Sequence, residues 1–124
     1  MRYTPWGKPD NSRKIVRGII SYNTPSHGGL FVTRKAAEKY FRKGVLESEW
    51  LKNNFDERAN GYWLEEDCDA SVALFELCYS APVECVNFWN GRHTLEHIKE
   101  MTSGSIDRWN NWYNYERGAD GKAA

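Results

Sequence analysis

The stretch over residues 15–33 constrains the fold more than any other part of this chain. An apolar run rich in β-branched and aromatic residues stands at each end, and the loop between the runs reads NTPSHGG. Such runs favour strands, the proline fixes φ, and Gly28 and Gly29 permit a positive φ. The pattern therefore predicts a β-hairpin whose loop presents Ser26 and His27 at the end of a small sheet.

A second apolar segment, residues 70–79, has the spacing of a helix. Its alanine, leucine and cysteine residues recur every three or four positions, and further apolar residues widen the stripe to most of the helix surface. A helix of this kind is buried, and Asp69 can cap its first turn. We therefore predict an α+β fold, in which a small antiparallel sheet packs against this central helix and additional helices surround them.

Weaker signals predict the remaining elements. Thr33 can cap a helix directly after the hairpin, and a second helix is predicted over residues 47–55. The Asn60-Gly61 dipeptide is typical of a turn, and the apolar residues that follow it predict a short strand. The segment 83–89 is compatible with either a loop or a strand.

The chain of 124 residues fits a single domain that buries its own core. We predict that residues 1–14, which hold two prolines, form an extended arm and that residues 117–124 form a frayed tail. No apolar run approaches the roughly 18 residues of a membrane span, and no signal peptide is recognised. The three cysteines form no paired motif, so we expect reduced thiols and a cytoplasmic location without membrane contact.

Charge is unevenly divided along the chain. Residues 1–60 have 12 basic and 6 acidic side chains, whereas residues 61–124 have 5 basic and 11 acidic ones, so a net +6 balances a net −6. The asymmetry either marks a basic face for an acidic partner or disappears when the charges mix in three dimensions. The overall neutrality argues against a dedicated nucleic-acid-binding protein, which carries a basic excess.

Three stretches of the chain together form a distinctive pattern. They read GIISYNTPSHGGLFVT over residues 18–33, YWLEEDCDASVALF over residues 62–75, and RWNNWY over residues 108–113. The pattern resembles a small domain of unknown function found in proteins of phages, plasmids and integrative elements. This resemblance implies an accessory protein of a mobile element, and it supplies no reaction and no catalytic residues.

The acidic run EEDCD over residues 65–69 gives the first candidate site. If the short strand before it pairs beside the hairpin, the run ends near His27. Cys68 and Asp67 could then join His27 in a Cys–His pair or a metal site, or the same surface could recognise a partner. A purely structural role, with an aspartate as helix cap and Cys68 as a buried apolar residue, is the third alternative. The candidate binding residues here are Ser26, His27, Glu65, Glu66 and Asp67.

A second candidate, His93 with Glu96 and His97, matches the HxxEH pattern of inverted zinc peptidases. On a helix, the two imidazoles at positions i and i+4 would share one face, as zinc requires. The chain is far shorter than those peptidases, and a third ligand is not evident. We therefore expect no metal and no other cofactor.

Two further segments are candidates for contact with partners. Trp109 and Trp112 alternate with asparagines near the C-terminus, a pattern that suits interface anchors or base stacking. Only one neighbouring residue, Arg108, is basic, which favours a protein interface. A basic run after the hairpin is either a solvated helix face or a contact for phosphate or an acidic partner. Its members are Arg34, Lys35, Lys39, Arg42 and Lys43.

Together these features predict a small, non-catalytic, protein-binding accessory factor of a phage or mobile element. Its partner would be a host protein or protein complex, and one such role is inhibition of a host defence system of the anti-CRISPR or anti-restriction type. The first alternative is a hydrolase or transferase that depends on Cys and His or on carboxylates. The second is a nucleic-acid-binding module. The oligomeric state stays open.

Overall fold

The computed structural model of the protein describes residues 4–66 and 69–103, in which one five-stranded antiparallel sheet is accompanied by six helices. The strands are β1 (Asn11–Val16), β2 (Ile19–Asn23), β3 (Gly28–Thr33), β4 (Phe55–Asp56) and β5 (Gly61–Glu65). The helices are α1 (Arg34–Tyr40), α2 (Lys43–Leu46), α3 (Glu49–Asn53), α4 (Asp69–Ser80), α5 (Pro82–Phe88) and α6 (95–103). The spatial strand order is β1-β2-β3-β5-β4. This arrangement confirms the predicted α+β class.

The predicted hairpin is part of a three-stranded meander. β2 and β3 pair antiparallel around the PSH loop, with Asn23 opposite Gly28. The apolar run before the loop is not one strand, because it turns back at Gly18, where φ is +91°. Only glycine adopts this φ without strain, so the turn between β1 and β2 depends on Gly18. β1 begins at Asn11, so the last four residues of the segment predicted as an arm lie in the sheet.

Gly28 and Gly29 do not have the positive φ that the sequence suggested. Both lie in β3 as ordinary extended residues, and their role is to permit close approach. A Cβ on Gly29 would collide with the carbonyl oxygen of Leu64 and would lie 2.5 Å from the ring of Trp6. A Cβ on Gly28 would lie 2.9 Å from the carbonyl oxygen of Tyr22. These positions therefore require glycine for space rather than for backbone conformation.

One face of the sheet packs against the helices and forms the main core. Ile19, Val32 and Leu64 point to this face and are fully buried. α4 is the central helix, as predicted, because nearly all of its residues between Ala70 and Cys78 are buried. The burial of so many apolar side chains on one helix makes α4 a major contributor to the hydrophobic stabilisation of the fold.

The other helices confirm some predictions and correct others. Thr33 caps α1 as predicted, since its side chain accepts a hydrogen bond from the backbone N–H of Ala36. The helix predicted over 47–55 is the shorter α3, which is capped by Ser48 and gives way to β4. The segment 83–89 is neither a loop nor a strand, because α5 occupies most of it. Pro82 stands in the first turn of α5, where a missing N–H costs nothing.

A buried ion pair joins α4 to the junction between α1 and α2. The guanidinium of Arg42 donates to Glu76 Oε2 from Nη2 at 2.6 Å and from Nε at 2.8 Å. The backbone N–H of Arg42 donates to Glu76 Oε1 at 2.8 Å. Arg42 is therefore not part of a solvated basic face, which corrects the prediction for the basic run at this position.

No helix among the described residues is both long enough and apolar enough to cross a membrane.

Candidate binding site

The sheet face opposite the helices carries an aromatic cluster. Tyr22, Phe31 and Trp63 alternate with core residues along their strands, so they point to this second face. The ring centroids of Phe31 and Trp63 are 4.6 Å apart, and those of Tyr22 and Trp63 are 5.9 Å apart. Trp6 covers the cluster from outside and meets Trp63 edge-on at 5.7 Å. Trp63 is thereby 9% exposed, while Trp6 stays partly exposed.

A tight turn over residues 4–7 holds Trp6 in this place. The hydroxyl of Thr4 accepts from the backbone N–H of Trp6 at 3.1 Å and donates to the carbonyl of Gly7 at 2.7 Å. The hydroxyl of Thr24 in the β2–β3 loop shares its proton between the carbonyl of His27 at 2.6 Å and the carbonyl of Trp6 at 3.3 Å. The bare backbone of Gly29 leaves room for the indole ring. The turn is therefore fixed to the same end of the sheet as the PSH loop.

A cleft of about 350 Å³ opens beside Trp6, between the turn, the junction of α3 and β4, and the junction of β5 and α4. Its walls combine aromatic rings, amides and three carboxylates. We call it the acidic cleft, and its lining residues are Pro5, Trp6, Asn53, Asn54, Phe55, Asp56, Trp63, Glu65 and Asp69. A volume of this size accommodates one side chain or a small ligand rather than a large cofactor.

Indole groups orient two of the carboxylates. Trp63 Nε1 donates to Asp56 Oδ2 at 3.0 Å, and this hydrogen bond is the main reason that the pKa of Asp56 lies below its usual value. Trp50 Nε1 donates to Asp69 Oδ1 at 2.8 Å. Burial nevertheless raises the pKa of Asp69 above its usual value. Both carboxylates are thus held by neutral donors in fixed directions.

The charge of the acidic cleft is not neutralised by ion pairs. Among the described residues, neither Asp56 nor Asp69 nor the exposed Glu65 forms a salt bridge. The charge of Arg58 is the weakest of the effects that lower the pKa of Asp56, behind the hydrogen bonds from Trp63 and from the backbone N–H groups of Ala59 and Arg58. The cleft therefore presents net negative charge next to aromatic rings, and this combination attracts cations.

The structure brings several of the sequence candidates to the same end of the sheet. Ser26 and His27 lie exposed in the β2–β3 loop, and β5 pairs with β3 so that Glu65 stands opposite Gly29. The backbone N–H of Glu66 donates to the carbonyl of Gly28 at 3.0 Å. The predicted proximity of the loop to the start of the acidic run is therefore present. The candidates Asp67, Cys68, Trp109 and Trp112 lie outside the described residues.

The HxxEH segment does not lie on one helix. Thr94 caps α6 by accepting from the backbone N–H of His97 at 3.1 Å, so His93 precedes the helix. The two imidazole rings still stack, with centroids 5.0 Å apart, and Trp89 packs against His93 at 5.1 Å. Within the part of the chain that the structure describes, no group of three or more His, Cys, Asp or Glu residues could hold a metal ion.

The basic run is divided between different environments. Arg34 pairs with Glu38 on the surface of α1 at 3.7 Å, and Arg42 is buried against Glu76. Lys35 is exposed on α1. Lys39 and Lys43 are exposed as well, so four of the five basic side chains lie at the surface and Arg42 alone of this run is withdrawn from it.

Sequence reasoning missed Trp6, Phe55 and Asp56 as parts of a site. Trp6 lies in the segment that was predicted as an extended arm, because no short-range pattern shows which strand a distant turn will cover. A signal was present for Trp63 and Glu65, because they stand two residues apart and share a face once the predicted strand extends to Glu65, as it does in β5.

The molecule is thus a small α+β domain with one sheet face packed on helices and an aromatic, acidic surface on the other. The chain belongs to the family described as a domain of unknown function (DUF7007), whose family model matches residues 1–118. This membership confirms that the chain is a domain of unknown function. Neither the curated proteins nor the solved structures include a significant match to the chain.

Proposed function

We propose that the protein is a non-catalytic, protein-binding accessory factor that engages its partner through one end of the sheet. This loop end comprises the turn over residues 4–7, the loop over residues 24–27, residues 65–66 and the adjoining acidic cleft. The observation that supports the proposal most strongly is the partly exposed Trp6 beside a cleft with three carboxylates. Protein interfaces are built in this way, with an aromatic anchor surrounded by polar groups.

The construction of the loop end also suits recognition. Three segments that are distant in sequence are tied together by the hydrogen bonds from Thr24 to Trp6 and from Glu66 to Gly28. A surface that is rigid before binding loses little conformational entropy on association. Its polar groups then set the specificity, since a wrong partner leaves the carboxylates unpaired.

The biological setting is a proposal that rests on the motif resemblance alone. In this proposal the protein acts in the host cytoplasm as an accessory factor of a phage or mobile element. Its partner is a host protein or protein complex, and inhibition of a restriction or CRISPR defence is one role that fits.

A quantitative pull-down tests the proposed function. Tagged wild-type protein, Glu65→Gln and the matched control Glu84→Gln would be incubated with nuclease-treated lysate of the organism that carries the gene. Glu84 is exposed on α5, away from the acidic cleft, so its substitution removes the same charge elsewhere. We expect one protein to be retained in stoichiometric amount by the wild type and by Glu84→Gln, with at least a fivefold loss for Glu65→Gln.

Two results would reject the proposed function. One is equal retention by Glu65→Gln and the wild type, with thermal unfolding showing that both are folded. The other is retention from untreated lysate that is lost in the nuclease-treated lysate, because this result would support the nucleic-acid-binding alternative instead.

A further inference from the structure

We infer that the acidic cleft binds the guanidinium group of an arginine side chain presented by the partner. This inference rests on the proposed function and deepens it, because it names the chemical group that the site recognises. The argument uses the size of the cleft, its aromatic walls, and the spacing and fixed orientation of its carboxylates.

The walls favour an organic cation over a neutral group. Trp6 and Trp63 line the cleft, and aromatic rings attract cations through their negative faces. The three carboxylates add formal negative charge that no salt bridge among the described residues offsets. A neutral or anionic ligand would leave that charge uncompensated, whereas a cation would neutralise part of it.

The spacing of the carboxylates favours a broad cation over a metal ion. Asp56, Glu65 and Asp69 line one cleft, yet they do not converge closely enough to form a metal-binding group within the described residues. A guanidinium spreads five N–H donors over a planar fork, so it can reach acceptors that a single ion cannot bridge.

The shape of the site favours arginine over lysine. A planar guanidinium stacks on an aromatic ring while it donates to a carboxylate, but an ammonium acts as a compact point charge. Asp56 Oδ2 accepts from the indole N–H of Trp63, and its Oδ1 accepts from the backbone N–H groups of Arg58 and Ala59 at 3.0 and 3.3 Å. Asp69 Oδ1 accepts from the indole N–H of Trp50, so the acceptor sites that remain on both carboxylates have fixed directions. Acceptors with fixed directions bind most tightly to a ligand whose donors also have a fixed geometry.

The test uses three short peptides and the full-length protein. The peptides are Gly-Xaa-Gly with blocked termini, where Xaa is arginine, citrulline or lysine, and the readout is the NMR signal of the Trp6 indole N–H. Citrulline has nearly the shape of arginine without its charge. We expect the arginine peptide to shift this signal saturably with a dissociation constant in the millimolar range. The citrulline and lysine peptides should bind at least fivefold more weakly.

Two variants locate the binding. Glu65→Gln should weaken the arginine peptide at least threefold. Glu84→Gln, which removes an exposed carboxylate on α5, should leave the affinity unchanged, because Glu84 does not line the acidic cleft. Equal weakening by both variants would contradict a defined site and indicate general charge attraction.

The inference is overturned if citrulline or lysine binds as well as arginine, or if the Trp6 signal does not respond. Such a failure can be distinguished from failure of the proposed function. If the pull-down still depends on Glu65 while the arginine peptide does not bind, the partner uses another group and only this inference falls.

Discussion

The buried pair of Arg42 and Glu76 offers the sharpest test of how the helices are held together. Glu76 is 2% exposed, and its two oxygens accept three hydrogen bonds from Arg42, one of them from the backbone. Glu76→Gln keeps the shape of the side chain but removes its charge and turns an NH₂ group toward guanidinium donors. The charge of Arg42, which is 9% exposed, is then buried without its partner.

Breaking one side of a buried ion pair costs about 3–5 kcal/mol. For a domain of this size, such a loss lowers the melting temperature by roughly 10–20 °C. The free energy of unfolding from urea denaturation would measure the effect directly. We expect Glu76→Gln to fold but to unfold at a clearly lower urea concentration.

A double variant separates the charge from the backbone hydrogen bond. Arg42→Met combined with Glu76→Leu removes both charges, so it should recover part of the stability that Glu76→Gln loses. The backbone N–H of Arg42 would still lack its acceptor, which costs about 1–3 kcal/mol. If Glu76→Gln lost less than about 1 kcal/mol, or the double variant were less stable than Glu76→Gln, the reasoning would be refuted.

Three further predictions follow from local geometry. Gly29→Val should lower the free energy of unfolding by more than about 1 kcal/mol and shift the fluorescence of Trp6, whose indole packs on Gly29. An unchanged melting temperature would count against this prediction. The low pKa of Asp56 means that its hydrogen bond from Trp63 stabilises the fold above the unfolded pKa of 3.8 and that this effect disappears as pH falls through the folded pKa. Asp56→Asn should therefore be less stable than wild type at pH 7 and approach it as the pH falls below 3.8, whereas a pH-independent difference would contradict the assignment. In a Cys68→Ser variant, Cys78 and Cys85 should resist a thiol reagent in the folded protein, because both are buried and their sulfur atoms lie 3.9 Å apart. Fast labelling of these two thiols would contradict this prediction and show that the core opens.

The sequence predicted the elements whose signals are local. Short sequence patterns that are compatible with only one structure predicted four features: the cap at Thr33, the turn at Asn60, the strand that follows this turn, and the buried helix α4. The first candidate site required the strand β5 to pair beside the hairpin, and in the structure β5 does pair with β3.

The errors arose where a local signal had two physical meanings. The composition of the run IVRGII is typical of one long strand. The turn inside the run is visible only in the structure, where Gly18 has a positive φ. Gly28 and Gly29 are conspicuous in sequence, but glycine is required equally by positive φ and by close packing, and here packing is the reason.

The acidic cleft could not be derived from sequence, because it is assembled from distant segments. Trp6 reaches it through a turn that is bonded to Thr24, and Asp56 enters it through β4, whose two residues are too few to form a pattern. The burial of Arg42 was hidden for a similar reason, since its partner Glu76 stands 34 residues further along the chain.

The central claim is that a partner protein binds at the acidic cleft, and site-specific photo-crosslinking in the same lysate tests it most directly. A photoreactive amino acid would replace Asn53, an exposed residue that lines the cleft, and in a second protein it would replace the exposed Glu84 on α5. The account predicts one crosslinked protein from position 53, strongly reduced when Glu65→Gln is added, and none from position 84. The account would be contradicted by equal crosslinking from the two positions, or by crosslinking from position 53 that is unchanged when Glu65→Gln is added.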